Sequence, residues 1–257
     1  MEERQEKILE LLNEVGKVLV KELADTFGVT EDSIRKDLST LESQGKLRRT
    51  YGGAVRIADK LQMTAAERRR ISEVEAKRKI ASVVAKMISP EDLIFLDNST
   101  ISIAVAEILA KKDFPYRIIT GMVDVLVMLA RNPKIIVTFA GGRLNKSRDG
   151  FCDALNLQFL AHFRPDICFV GVVGADIEKN SLTTNDTESG IHKAKILELG
   201  KKNYIFAESV KIGTEGNYSF ATFEKVNGLI TETNLPEKFL TAAEKLNLKI
   251  ILPNQGE

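Results

Sequence analysis

The chain is poor in the residues that build metal and redox sites. Its 257 residues hold two cysteines, Cys152 and Cys168, and two histidines, His162 and His192. Neither cysteine stands at a pairwise ligand spacing, so these four scattered donors argue against a zinc site, and the two cysteines read as buried or half-buried thiols in a reducing compartment. Long apolar runs are missing as well. A stretch such as Ile101 to Ala110 is interrupted by Ser102 and Glu107 and falls short of the roughly 20 residues that span a bilayer, so no membrane partner is expected. The opening MEERQEK is charged and has no apolar segment behind a basic one, which speaks against a secretory signal and for a cytoplasmic home. GVVGAD lacks the G-x-G-x-x-G that a pyrophosphate turn requires, which weakens a dinucleotide-binding dehydrogenase. Neither histidine falls in a catalytic motif, and no cofactor is implied.

What is present suffices for a substantial core. With 44% hydrophobic and 28% charged residues, this length fits one large or two modest folded domains. Net charge is only +1, yet it is unevenly spread. From Arg35 to Arg56, the six cations Arg35, Lys36, Lys46, Arg48, Arg49 and Arg56 face only Asp37 and Glu42, a local charge of +4.

Helical spacing of Ile8, Leu11, Leu12 and Val15 predicts a first helix ending at Gly16, with its glutamates toward solvent. Leu23, Ala24 and Phe27 predict a short second helix ending at Gly28. Thr30 is suited to cap a third, from Glu31 through Leu41 and stopping near Gly45, with Glu31 and Asp32 at the positive end of its dipole. On this helix Ile34, Leu38 and Leu41 share one face. Asp32, Ser33, Lys36, Ser39 and Thr40 point the other way, while Asp37 flanks the core as an orienting partner for a nearby arginine or amide. KLRRTYGGAVR then reads as a hairpin about Gly52-Gly53. A short helix, a tight turn, a second helix with a polar face and a basic ribbon make a winged helix-turn-helix, whose second helix enters the major groove of double-stranded DNA. Thr30, Ser33, Arg35, Lys36 and Thr40 are the candidates on that helix. Ser33 and Lys36 stand nearest the base edges, while Arg48 and Arg49 on the wing reach phosphates.

The segment VTEDSIRKDLSTLESQGKLRRTYGGAV resembles the amino-terminal signature of DeoR-family bacterial transcriptional regulators, with I-R-K-D-L, L-x-x-x-G-x-L-R-R and Y-G-G-A all present. Ser33 stands where that family usually has threonine, which keeps the hydroxyl and removes a methyl. The domain boundaries expected are 1–57 for the winged unit, 58–73 for a charged linker and 74–257 for a second domain. Arg68, Arg69 and Arg70 in the linker read as a solvated or packing helix.

Beyond Lys77, candidate strands at Leu93–Leu96, Arg117–Thr120, Ile135–Ala140, Ile167–Val173, Tyr204–Ala207, Val226–Ile230 and Lys249–Leu252 alternate with amphipathic stretches. That order predicts a mostly parallel α/β sheet covered on both faces, with ligand loops at the carboxyl ends of its strands. In FLDNSTISIA, Asp97, Asn98, Ser99 and Thr100 lead into a helix whose amino end suits a phosphate, and an unliganded capped helix reads equally well. The second domain is similar to the DeoR carboxy-terminal sensor domain, over about residues 74 to 232, which is related to sugar-phosphate isomerases and CoA transferases. There D-x-G-T-T becomes Asp97-Asn98-Ser99-Thr100-Ile101, T-N-S becomes Thr120-Gly121-Met122, and D-x-S-K becomes Glu208-Ser209-Val210-Lys211. Gly141, Gly142, Gly171, Gly174, Glu188 and Lys193 also fit the pattern. The resemblance implies a phosphorylated-sugar effector held by Ser99, Thr100 and nearby amides, with Lys211 adding charge and Asp97 and Glu188 bonding hydroxyls. It further implies a repressor of a sugar-metabolism operon acting as a dimer or tetramer. Serine in place of glycine at position 99 is expected to restrict the loop backbone. The competing expectation is a DNA-tethered sugar-phosphate isomerase or CoA transferase, with Asp97 or Glu188 as base.

Overall fold

A computed structural model describes residues 2–44, 46–50, 52–56, 65–145 and 150–253. The chain divides into two compact units, Met1–Met63 and Thr64–Glu257. Gly45, the segment 57–64 and the side chains of Arg48 and Arg56 lie outside the described set.

The first unit runs α1 (Glu2–Val15), β1 (Lys17–Leu19), α2 (Val20–Phe27), α3 (Glu31–Ser43), β2 (Leu47–Thr50) and β3 (Gly53–Arg56). Gly28 closes α2 in the left-handed conformation at φ 64°, which glycine adopts without penalty. Thr30 then caps α3, its hydroxyl accepting from the Ser33 amide. Ile8, Leu12, Leu23, Ile34, Leu38, Leu41 and Leu47 are buried together. Each contributes on the order of 1.5 to 3 kcal/mol of apolar burial. Val15, expected inward, is 65% exposed because α1 ends beyond the edge of this cluster. The wing is more than a hairpin. β1 pairs antiparallel with β3, giving the order β1-β3-β2. Only Val18 of β1 is buried, too little apolar signal to mark a strand in advance.

The second unit opens with α4 (Ala65–Ile71) and α5 (Val74–Met87), followed by β4 (Leu93–Leu96), α6 (Thr100–Leu109), β5 (Arg117–Thr120), α7 (Val123–Leu129) and β6 (Ile136–Phe139). The ribbon β7 (Leu144–Asn145) and β8 (Gly150–Phe151), α8 (Ala154–Leu160), β9 (Ile167–Gly171), β10 (Gly174–Asp176), β11 (Ser181–Thr184) and α9 (Thr187–Leu199) come next. The chain closes with β12 (Lys202–Phe206), β13 (Tyr218–Ala221), β14 (Gly228–Ile230), α10 (Glu237–Lys245) and β15 (Lys249–Ile251). Seven strands form a sheet in the order β15-β14-β12-β9-β4-β5-β6, every neighbouring pair parallel.

Strand alternation sorts the interior into two cores. Phe95, Ile119, Cys168, Val170, Ile205 and Leu229 pack on one face. Ile94, Leu96, Ile118, Ile167, Phe169, Phe206 and Ile230 pack on the other. This two-sided burial is why each strand reads as a continuous apolar run. The antiparallel set β10-β11-β13 was not expected from the sequence. From β4 the chain winds to β5 and β6 on one side, and later to β9, β12, β14 and β15 on the other. The strand order therefore reverses between β4 and β9, the crevice where open parallel sheets bind ligands.

Candidate functional site

The first candidate surface is the outer face of α3. Ile34, Leu38 and Leu41 point inward, while Lys36 and Thr40 are exposed and Ser33 is half-buried. The Thr30 hydroxyl lies 3.0 Å from that of Ser33, so the two act as one polar edge at the start of the helix. Arg35 folds back on Glu31 at 2.7 Å and Asp32 at 2.9 Å. Such exposed pairs are worth at most about 1 kcal/mol, so a phosphate can draw the guanidinium away. Thr40 donates to the Lys36 carbonyl at 3.1 Å. Asp37 does what its flanking position predicted: 2% exposed, it accepts from Arg4 Nε at 2.6 Å and Gln5 Nε2 at 3.0 Å, locking α3 to α1. The Arg49 amide donates to Glu42 at 2.8 Å, fixing the wing strand beside the recognition helix.

The second candidate is a cavity of about 370 Å³ at the reversal between β4 and β9. Its wall includes Asn98, Ser99 and Thr100 from the loop after β4 and Gly171, Val172 and Val173 from the loop after β9. This volume lies in the range of small-molecule sites. Ser99 caps α6, its hydroxyl accepting from the Ser102 amide. The Ser99 backbone is extended, at φ −125°, so the loop needs no left-handed residue there and the expected restriction by serine does not arise. Lysines come to the cavity from three distant segments: Lys77 of α5, Lys193 of α9 and Lys211 from the short turn after β12. Buried Glu208 sits between two of them, 2.6 Å from Lys211 and 3.6 Å from Lys77.

The remaining sequence candidates fall elsewhere. Asp97 does not line the cavity. It is 2% exposed, pairs with Lys193 at 2.5 Å and accepts from the Gly171 amide at 2.8 Å and the Ser102 hydroxyl at 3.1 Å. Burial opposes its ionisation, but Lys193 together with bonds from Ser99 and Gly171 outweighs burial and holds the carboxyl below the ordinary aspartate range. Its oxygens are committed to joining β4, β9 and α9, which leaves none directed at a ligand hydroxyl or a substrate proton. Glu188 and the pair Gly141-Gly142 also lie off the cavity wall. Glu188 faces Arg143 at 3.6 Å and the Cys152 thiol at 3.9 Å, and Gly142 abuts the Asp153 carboxylate. Lys146 and Ser147 of that loop lie outside the described residues.

Asn156 ties α8 to α9. Its amide group donates to the Ala140 carbonyl at 2.5 Å, which fixes its oxygen as the acceptor for His192 Nε2 at 2.8 Å. Burial, reinforced by the neighbouring Lys193 charge, lowers the His192 pKa to about 4, so the ring is neutral near pH 7. Both cysteines are buried and neither forms a disulfide, and among the described residues no cluster has the makings of a metal site. Among them, too, no helix is long and apolar enough to cross a membrane.

Lys77 is a cavity-lining residue that periodicity missed. A signal was there: Lys77, Ile80, Ala81 and Val84 recur at the spacing of one buried stripe, and a lysine inside such a stripe must find partners.

Comparison with known proteins follows the same division. Residues 4–60 match the DeoR-like helix-turn-helix domain, and residues 72–233 match the DeoR C terminal sensor domain. The chain belongs to the DeoR family of helix-turn-helix transcriptional regulators. It is 32% identical over 248 residues to the uncharacterized HTH-type transcriptional regulator YulB of Bacillus subtilis (strain 168), covering 96% of this chain and 95% of that one. It is 28% identical over 234 residues to the glycerol-3-phosphate regulon repressor of Escherichia coli (strain K12), covering 91% and 92% of the two. Among solved structures, ribose 5-phosphate isomerase A from Neisseria gonorrhoeae is similar at a TM-score of 0.38 and 13% identity, over 53% of this chain and 52% of that one.

Proposed function

We propose that this regulator represses an operon of sugar metabolism and that a phosphorylated sugar or polyol, bound at the β4–β9 crevice, alters its grip on the operator. One observation carries the reading: lysines from three separate segments converge on a cavity walled by the capped amino end of α6. Such a helix end favours an anion through its free amides and dipole. Ser99 and Thr100 supply hydroxyls, Lys211 supplies charge, and Asn98 lies at hand for the ligand's polar body.

The other half of the mechanism is the exposed face of α3. Ser33 and Lys36 read base edges, Thr30 and Thr40 lie at the margins, and Arg35 with wing residues Arg48 and Arg49 meets phosphates. Half-sites one helical turn apart call for a dimer or tetramer. The effector releases DNA only by the difference in its affinity for the bound and free conformations. A gel-shift on the region upstream of the chain's own gene, with and without a panel of sugar phosphates, tests this. Loss of the shifted band with one phosphate and not with its dephosphorylated sugar is the expected result. A band that no phosphate alters, alongside turnover of one of them, overturns it.

A further inference from the structure

Lys77 occupies an unusual position. Its side chain lines the crevice, yet its ammonium is turned toward the linker helix, donating to the Arg69 carbonyl at 2.5 Å and to the Ser72 carbonyl. These are carbonyls at the carboxyl end of α4 and in the turn beyond it, which no intrahelical amide satisfies. The turn itself is uncommon, since Glu73 adopts φ 47°, a left-handed backbone rare outside glycine. Arg70 of α4 also pairs with Asp124 at 2.5 Å, the partners 36% and 38% exposed, and exposed pairs hold weakly. Beside α4 lies a second cavity of about 420 Å³, which shares Lys77 and Thr100 with the crevice and is also lined by Arg70. The end of α4 has space to move into.

Charge sets up a competition. Facing the Lys77 ammonium are the Glu208 carboxylate, the two carbonyls, the Ser72 hydroxyl at 3.5 Å and, farther off, Glu73 and Lys211. Glu208 bridges Lys77 and Lys211 and so stands where an anion would, between two cations of the crevice. A ligand phosphate arriving at Lys211 and the α6 amino end repels Glu208 and attracts Lys77. Burial already destabilises the Lys77 ammonium, which favours a closer anion over neutral carbonyls.

We propose that Lys77 is the transmitter of the sensor unit: without ligand it clamps the carboxyl end of α4, and an anion in the crevice draws it off and frees that helix. Because α4 begins within two residues of the boundary at Met63, its release acts on the segment that leads to the DNA-binding unit. The inference rests on the phosphate reading above and extends it to Lys77, Glu208 and α4.

The test uses the full chain, with inorganic phosphate and glucose 6-phosphate as probes. Binding is followed by calorimetry and amide hydrogen exchange at residues 69 to 72 by mass spectrometry. Either probe, once bound, is expected to speed exchange there by about five- to tenfold, the effect of losing one ordinary hydrogen-bond anchor. Lys77→Met is expected to exchange fast with or without probe while keeping the wild-type unfolding midpoint to within a few degrees. Lys211→Met is expected to lose probe binding and leave exchange at 69 to 72 at the slow, ligand-free rate. Binding without any change in exchange, or slow exchange in Lys77→Met, overturns the transmitter and leaves the phosphate site standing. No binding of either probe overturns both.

Discussion

Among the described residues each unit buries one aspartate to 2% exposure, and the two are secured differently. Asp37 of the winged unit is met by Arg4, itself 25% exposed, and by Gln5, across 33 and 32 residues of chain. Asp97 of the sensor unit is met by Lys193, 6% exposed, across 96 residues, with a backbone amide and a hydroxyl completing its shell. The first ties two neighbouring helices so that a surface keeps its shape. The second joins two strands and a helix under a cavity, in surroundings where neither charge reaches water. A face that must meet a large polyanion needs only stiffness behind it, whereas a crevice for a small anion needs its charges fixed and dry.

Substitution sharpens that contrast. Lys193→Met strands a buried carboxylate and is expected to destabilise the sensor unit by about 3 to 5 kcal/mol. Arg4→Met leaves Asp37 with Gln5 and a wet edge, and is expected to cost under about 1 kcal/mol after solvent screening. Urea unfolding of both variants, read with probes in each unit, measures the difference. Equal losses would erase the distinction drawn above.

Acid acts on the sensor unit through His192, which is buried there. His192 titrates at 6.5 when unfolded and at about 4 when folded. Between these values the unfolded chain takes up a proton that the folded chain refuses, so the contribution is whole above pH 6.5 and is lost as pH falls to 4. At 1.36 kcal/mol per pH unit, the loss across that window is about 3 kcal/mol. His192→Gln, which retains a donor for Asn156, is expected to flatten the pH dependence of sensor-unit unfolding between 6.5 and 4. Asp97 acts in a more acidic range: its lowered pKa contributes stability above the ordinary aspartate value that disappears as pH drops through the folded one.

Smaller effects belong to the surfaces. Lys36→Ala is expected to weaken the preferred operator by about 1 to 3 kcal/mol relative to unrelated duplex, measured by competition gel-shift at fixed salt. Equal weakening on every sequence would reassign Lys36 to the phosphates. Least of all, Ser99→Gly exchanges one acceptable cap for another in an extended backbone, and a few tenths of a kcal/mol in thermal unfolding is the expected change.

Much of this was legible in the residues. Six of the seven strands of the parallel sheet fell within the runs that marked them and β12 began two residues ahead of its run, at Lys202, because strands covered on both faces cannot include much else. The cap at Thr30 and the turn at Gly28 were equally plain, since local geometry dictates local chemistry. The antiparallel set was hidden: GAD and SLTT are too short and mixed to show a period. In the crevice, the loop after β4 was found, but its cationic wall was only partly seen. Lys77 pairs with a residue 131 positions away, and no window of sequence holds both. Asp97 was located correctly and given the wrong neighbours, for a carboxylate at a strand end looks the same whether it greets a ligand or a buried ammonium.

Gly53 leaves one consequence. A methyl group there would lie 2.0 Å from the Val18 carbonyl oxygen, where β1 runs against β3. Any other amino acid at this point would prise the ribbon from its support, so the set of β3 against β1 depends on the absence of a side chain there. Whatever variety this ribbon admits is left to side chains that point away from that contact.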